Sequence, residues 1–376
     1  MNLKASIKKF LKTKLTDSNA RIVNLYKTNY DKTVLISYLT MPFLRPNQFT
    51  HQNFLTSHII AESFSELGYN VDIVYYLKDE LPIVYGDYDV IFGMGPNFER
   101  SFYNPQRNIP RIHLITGAHQ DFHNAASLKS IKDFYELSGI WLAEEANILA
   151  ENFYYGMYNA DATIILAHGH VFDDCQSRYT NKLYPLNNNI LGIFSDFAPK
   201  VERTANFLFL SGGRQLTKGL PLLMEAARIR TDLNFYVVVP NINERLESNY
   251  SDVLGKNVFL FKNLRMDSEE MKDIINKCAY ILAPSYTDGM PGGTIEPMSA
   301  GLIPIVSRFC GFGKEPFIFE IEELSVSGLC AALDSILALD DPTYFEYANA
   351  VKAYTNTNFS GSNVKKQLTG ILKELI

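Results

Sequence analysis

The stretch NFLFLSGGRQLTKGLPLLMEAARI, Asn206 to Ile229, reads as a strand, a glycine-bearing loop and a helix in immediate succession. Phe207 to Leu210 form an unbroken apolar run, which suits a strand covered on both faces. Gly212 and Gly213 interrupt it, and from Leu220 to Ile229 the chain is dense in Leu, Met and Ala, which favour helix. A strand that passes directly into a helix is the first part of a crossover, and its return strand runs parallel to it. FYVVVP (Phe235 to Pro240) supplies the return. The alternation continues through NVFLF (Asn257 to Phe261), a helix over Ser268 to Lys277, YILAPS (Tyr280 to Ser285) and IPIVS (Ile303 to Ser307). This pattern predicts a doubly wound α/β sheet.

The first half repeats the pattern. Strands are expected at Val34 to Leu39, Tyr69 to Tyr76, Asp89 to Gly95, Arg111 to Ala118 and Ala162 to Ala167, with helical runs over Phe54 to Leu67 and Gly139 to Tyr158. At about 150 residues per domain, a chain of 376 residues holds two such units. The seam is placed in the polar stretch from Pro185 to Thr204, giving a first domain over 1–195 and a second over 196–358.

The 25 Phe, 22 Tyr and an apolar share of 47% are enough for two large cores. A net charge of −6 removes the basic field that nucleic-acid binding needs. Cys175, Cys278, Cys310 and Cys330 are far apart without a C-x-x-C pair, the pattern of reduced, buried thiols in a cytosol. No apolar run is long enough to span a bilayer and no secretory h-region opens the chain, so a cytoplasmic protein is expected. The start is different. In MNLKASIKKFLKTKL, five lysines alternate with Leu3, Ile7, Phe10, Leu11 and Leu15 at helical spacing. Two readings stay open for it: a basic helix lying on the inner face of an anionic membrane, or a solvated helix packed on the protein.

Ligands of open α/β sheets bind beyond the carboxyl ends of the strands. After FLFLS stand Gly213, Arg214, Lys218 and Gly219, where glycines admit close backbone approach and the two cations suit a diphosphate. Taken alone, Lys218-Gly219 serves equally well as a turn on a solvated surface. After YILAPS comes YTDGMPGGTIEPMSAG (Tyr286 to Gly301). Amides of Gly292, Gly293 and Thr294 at a helix start form an anion site, and Asp288 and Glu296 offer carboxylates to sugar or ribose hydroxyls. Both segments ask for the same ligand, a nucleotide diphosphate sugar.

In these motifs the chain resembles the retaining GT-B glycosyltransferases of family 4, also called glycosyl transferases group 1. That family carries G-R-x-x-x-K-G and a carboxylate-x7-carboxylate segment, here Gly213-Arg214 with Lys218-Gly219, and Asp288 through Glu296 to Pro304. The first-half likeness rests on HQNF (His51 to Phe54), LGYNVDIV and TGAHQDFH (Thr116 to His123). Asp288 stands where the family usually has Glu, and Pro297 replaces a common Ala. The resemblance implies two Rossmann-like domains facing a central cleft, with a final helix over 359–376 packing back on the first domain. It implies Arg214 and Lys218 on the donor diphosphate, Glu296 on the ribose, Asp288 on the transferred sugar, and backbone amides of Met290, Gly292 and Gly293 on sugar and phosphate. His119 is the implied first-half contact to the transferring sugar. The implied co-substrate is a UDP- or GDP-sugar, without a metal, and the acceptor a glycan or lipid-linked glycan of a cell-surface polymer.

Other signals carry less. Asp87-Tyr88-Asp89 matches a D-x-D metal motif but leads into a first-half strand, away from the donor motifs. His119 and His123 have zinc-binding spacing without a third ligand, and His168 and His170 lack partners as well. Gly93-Met94-Gly95 lacks the third glycine of a dinucleotide fingerprint. Two rivals share the fold: a catalytically silent subunit that binds a nucleotide sugar or a partner enzyme, and a sugar-nucleotide epimerase.

Overall fold

The computed structural model describes residues 20–44, 51–78, 81–103, 108–149 and 154–376. The basic stretch over residues 1–15 lies outside these. Two sheets organise the chain. The first contains β1 (Arg21–Ile22), β2 (Lys32–Tyr38), β3 (Tyr69–Tyr75), β4 (Val90–Gly93), β5 (Arg111–Ile115), β6 (Ala162–Ile165) and β7 (Lys182–Pro185), in the order β1-β3-β2-β4-β5-β6-β7. Only β1 is antiparallel to its neighbour. The second contains β8 (Asn206–Leu210), β9 (Asn234–Val239), β10 (Val258–Lys262), β11 (Tyr280–Ala283), β12 (Ile303–Ser307) and β13 (Phe319–Ile321), all parallel, in the order β10-β9-β8-β11-β12-β13. Both orders reverse direction once, beside β2 in the first sheet and between β8 and β11 in the second. Ligand crevices open at such reversals.

The helices explain how the halves are fastened. Helix α1 (Gln52–Glu66) covers the first sheet, and α2 (Gln120–Ser138) follows β5. The expected helix over Gly139 to Tyr158 is not there: Gly139 has φ of 70° and caps the end of α2. Glycine adopts this left-handed conformation freely, so it marks a helix stop rather than a start. Beyond it come a 3₁₀ turn (Ala143–Glu145) and a short helix, Tyr154–Asn159. Helix α2 does not stay with its own sheet. Ala126, Ile131 and Phe134 on it, with Leu142 after it, belong to the same buried cluster as Phe207, Leu223 and Tyr250 of the second half.

Helix α3 (Leu220–Ile229) follows β8, with Pro221 in its first turn, where a missing N–H costs nothing. Near the C-terminus α4 (Asp341–Asn358) lies on the second sheet, and α5 (Gly361–Leu375) crosses back. Val364, Leu368 and Leu372, four residues apart, are fully buried against the first sheet and α1. Lys365 adds ion pairs to Glu62 (3.1 Å) and Glu66 (2.8 Å). Each buried Leu is worth roughly 1.5–3 kcal/mol, against at most about 1 kcal/mol for an exposed pair, so the apolar stripe holds the helix. At the crossings the two passing segments touch, since the Ile190 amide donates to the Phe359 carbonyl (2.8 Å).

Candidate functional site

The loops after β8 and β11 meet because those strands are sheet neighbours at the reversal point. Gly219 has φ of 78°, and a Cβ there would stand 1.9 Å from the Pro284 carbonyl oxygen, so only glycine allows the turn to pass this close to β11. The Tyr286 amide then donates to the Thr217 carbonyl (2.8 Å). Side by side, the loops place the Lys218 ammonium on the Asp288 carboxylate in a short, partly buried ion pair. The other carboxylate oxygen of Asp288 accepts from the Gly289 amide (3.0 Å), and the Asp288 amide donates to the Phe309 carbonyl (2.8 Å). The two motifs separated by 70 residues thus form one site.

The first half supplies the opposite wall. A Cβ on Gly289 would fall 2.7 Å from Gly117 Cα and 2.9 Å from the carbonyl oxygens of Thr116 and Leu166. The carboxyl ends of β5 and β6 therefore close directly over the Asp288 loop. Two histidines from this wall feel the charges of both Lys218 and Asp288. His51 caps α1, its Nδ1 accepting from the Asn53 amide (3.2 Å); desolvation and then Lys218 hold its pKa below the usual value, with Asp288 pulling the other way. His123 Nε2 donates to the Asn147 carbonyl (2.9 Å), and its pKa is lowered by desolvation above all.

His119 does not join them. As N-cap of α2 its Nδ1 accepts from the Asp121 amide (3.2 Å), which turns the ring inward against Tyr158 and Tyr179, leaving it 1% exposed and its Nε2 without a partner among the described residues. His123, one turn later, is only half-buried and feels the charges of Lys218 and Asp288. The two differ although their sequence spacing is one helical turn, because side-chain direction at a helix start depends on the cap. His51 stood in HQNF just after a strand and loop, a position that the carboxyl-end rule already favours.

The glycine-rich loop also differs in part from expectation. Helix α6 (Gly292–Met298) starts where predicted, and no partner is recorded for the amides of Gly292 and Gly293 among the described residues. The Thr294 amide, however, donates to the Pro291 carbonyl (2.8 Å), and the Met290 amide to the Cys310 carbonyl (2.7 Å), so neither is free for a ligand. Glu296 is a larger correction. It is completely buried, with Oε1 accepting from the Leu191 amide and the amides of Ile193 and Gly192 and the side chain of Gln52 close by. Burial drives its pKa up, and these donors only partly restore it. Its carboxylate fastens α6 to the segment joining the sheets and has no surface for a ribose. Gln52 explains Gly292, since a Cβ there would lie 2.1 Å from Gln52 Oε1.

Arg214 is exposed at φ of 56°, and its guanidinium donates to the Glu144 carbonyl (2.8 Å). Asp89 of the D-x-D sequence accepts from the Thr33 amide (2.8 Å) within the first sheet. Among the described residues no cluster of three or more metal-type ligands occurs, and no helix is long and apolar enough to cross a membrane.

No family model and no curated protein matches the sequence. Solved structures do match. The chain is similar to a sucrose-phosphate synthase from Thermosynechococcus elongatus at 14% identity and a TM-score of 0.63, covering 92% of this chain and 98% of that one. A glycosyltransferase from Rickettsia africae aligns at 13% identity and 0.55, covering 92% and 99%. WaaG, a glycosyltransferase involved in lipopolysaccharide biosynthesis, aligns at 15% identity and 0.54, covering 90% and 99%. The fold is GT-B. In GT-B terms, the Lys218–Asp288 pair lies at the strand reversal of the second domain, facing the histidines of the first across the cleft.

Proposed function

We propose that this chain is a glycosyltransferase that moves a sugar from a nucleotide-sugar donor to a glycan or lipid-linked glycan, with retention of configuration. The observation that carries the reading is the junction of the β8 and β11 loops, where Lys218 and Asp288 pair and their charges act on two histidines from the other domain. Breaking the anomeric bond of such a donor moves negative charge onto the departing diphosphate. Cations fixed at that point stabilise the transition state more than the ground state. Lys218 and Arg214 supply them, and the free amides of Gly292 and Gly293 suit phosphate or sugar oxygens.

The ion pair prepares both partners. Paired, each partly neutralises the other, which lessens the desolvation cost of holding them under the first domain. A diphosphate draws Lys218 away, and Asp288 is left to accept from hydroxyls of the transferred sugar. His51 and His123 contact that sugar from the opposite wall, in the place first assigned to His119. The leaving phosphate takes the acceptor's proton, so no protein nucleophile is required.

Thermal unfolding in the presence of UDP- and GDP-sugars tests donor binding, since a ligand at 100 times its dissociation constant adds about 2.7 kcal/mol. Slow hydrolysis of the stabilising donor tests catalysis. Replacing Arg214 by Ala is expected to slow that hydrolysis by about 10²–10³-fold. Binding without any turnover would favour the silent-subunit reading, and no shift with any nucleotide would refute both.

A further inference from the structure

Residues 141–147 leave α2 and run across the loop over 213–219. Their contacts are polar and specific. The Trp141 carbonyl accepts from Arg245 (3.2 Å), the Glu144 carbonyl from Arg214 (2.8 Å), and the Glu144 carboxylate from the Asn243 side chain (2.9 Å). The Glu145 carboxylate lies against the amides of Leu216 and Gln215 beside Arg214, with Oε2 buried and without a partner among the described residues. Those two amides find no main-chain acceptor among the described residues. Two residues on, the Asn147 carbonyl takes the Nε2 proton of His123.

We propose that this segment is an autoinhibitory strap: the Glu144 carbonyl and the Glu145 carboxylate occupy the groups that receive the donor diphosphate, and the strap lifts when a nucleotide sugar binds. The proposal rests on the reading of the Arg214 loop as the diphosphate site. Three observations support it. A carboxylate set against backbone amides and a guanidinium uses the donors that a phosphate oxygen would use. Arg214 meets the strap from a left-handed backbone conformation, which a non-glycine residue adopts only where the surroundings hold the strain. The same short segment ties up His123, so both the phosphate anchor and a cleft histidine are engaged at once. The Glu145 carboxylate and a diphosphate cannot share these amides without strong like-charge repulsion, and the Glu144 carbonyl holds the guanidinium that a phosphate would need. Donor and strap therefore exclude each other.

A strap shut about 80% of the time leaves a fifth of the molecules competent and weakens apparent affinity about fivefold. The test uses the full chain with UDP and GDP as probes, measured by calorimetry, for wild type, Glu145→Gln and Glu144→Ala, each checked for folding by its melting temperature. Tighter nucleotide binding, about fivefold for Glu145→Gln and less for Glu144→Ala, is expected. In wild type, hydrogen exchange over 141–149 should quicken when the nucleotide is added. Nucleotide binding that is equal or weaker in both variants, or exchange that slows, overturns the strap and leaves the donor-site reading standing. Failure of wild type and both variants to bind either nucleotide overturns the donor site itself.

Discussion

Replacing Gly289 by Ala tests whether the two domains meet as described. The added Cβ would stand 2.7, 2.9 and 2.9 Å from three backbone atoms, all of them in the first domain. Carbon contacts are comfortable at about 3.5–4.0 Å, so relief requires the domain faces to part by roughly 1 Å. Neither side has a flexible side-chain end to give way. Overpacking of this kind costs about 1–3 kcal/mol, and at about 2–4 °C per kcal/mol for domains of this size the melting temperature should fall by roughly 2–12 °C. Gly212→Ala is the control, because a Cβ there meets nothing within 4 Å and its φ is not positive; its effect should stay within about 0.5 kcal/mol. Both variants are measured by thermal unfolding at one protein concentration. A Gly289→Ala protein that melts with wild type would show that the domains do not close at this point, and the placing of the histidines over Lys218 and Asp288 would lose its support.

Phe134→Ala removes a first-half ring packed 6.5 Å from Tyr250 in the second-half core. It should cost about 3–5 kcal/mol by urea denaturation, whereas a loss under about 1 kcal/mol would mean that α2 is not part of that core. His113 is fully buried and stacked on Phe98, and burial, with some help from His119, lowers its pKa to about 3. Between the ordinary value near 6.5 and that figure the unfolded chain takes up a proton that the folded chain refuses. Stability from this residue is thus intact above pH 6.5 and falls by about 1.36 kcal/mol per pH unit on acidification. In His113→Leu, unfolding measured from pH 6 to 4 should lose that part of the slope, and an unchanged slope contradicts the burial.

The alternation of strand and helix made the central strands of both sheets legible, because they are mostly apolar runs, whereas β1, β7 and β13 are too short to announce themselves. The carboxyl-end rule then singled out the loops that carry Lys218 and Asp288. What escaped depended on orientation rather than on residue type. His119 and His123 are alike in sequence, and only the cap geometry shows which faces the cleft. Glu296 sits on the expected helix, but the passing chain at 191–193 takes up its carboxylate. The helix expected from Gly139 onward instead ends there, so that the helix between β5 and β6 lies earlier in the chain, over Gln120–Ser138, where it fastens the domains. The strap has no sequence signature, since the Glu144 carbonyl and the Glu145 carboxylate acquire meaning only from a loop about 70 residues later.

The return of α5 to the first domain changes what a broken chain would do. A cut in the segment around 191–193 would separate the sequence into two pieces, yet the second piece would still carry the helix whose Val364, Leu368 and Leu372 fill the first domain's core. The fragments should therefore stay together and keep their mutual orientation, each completing the other as in a split protein. Removal of the last helix would do the opposite, leaving the peptide chain continuous between the domains while exposing an apolar face on one of them.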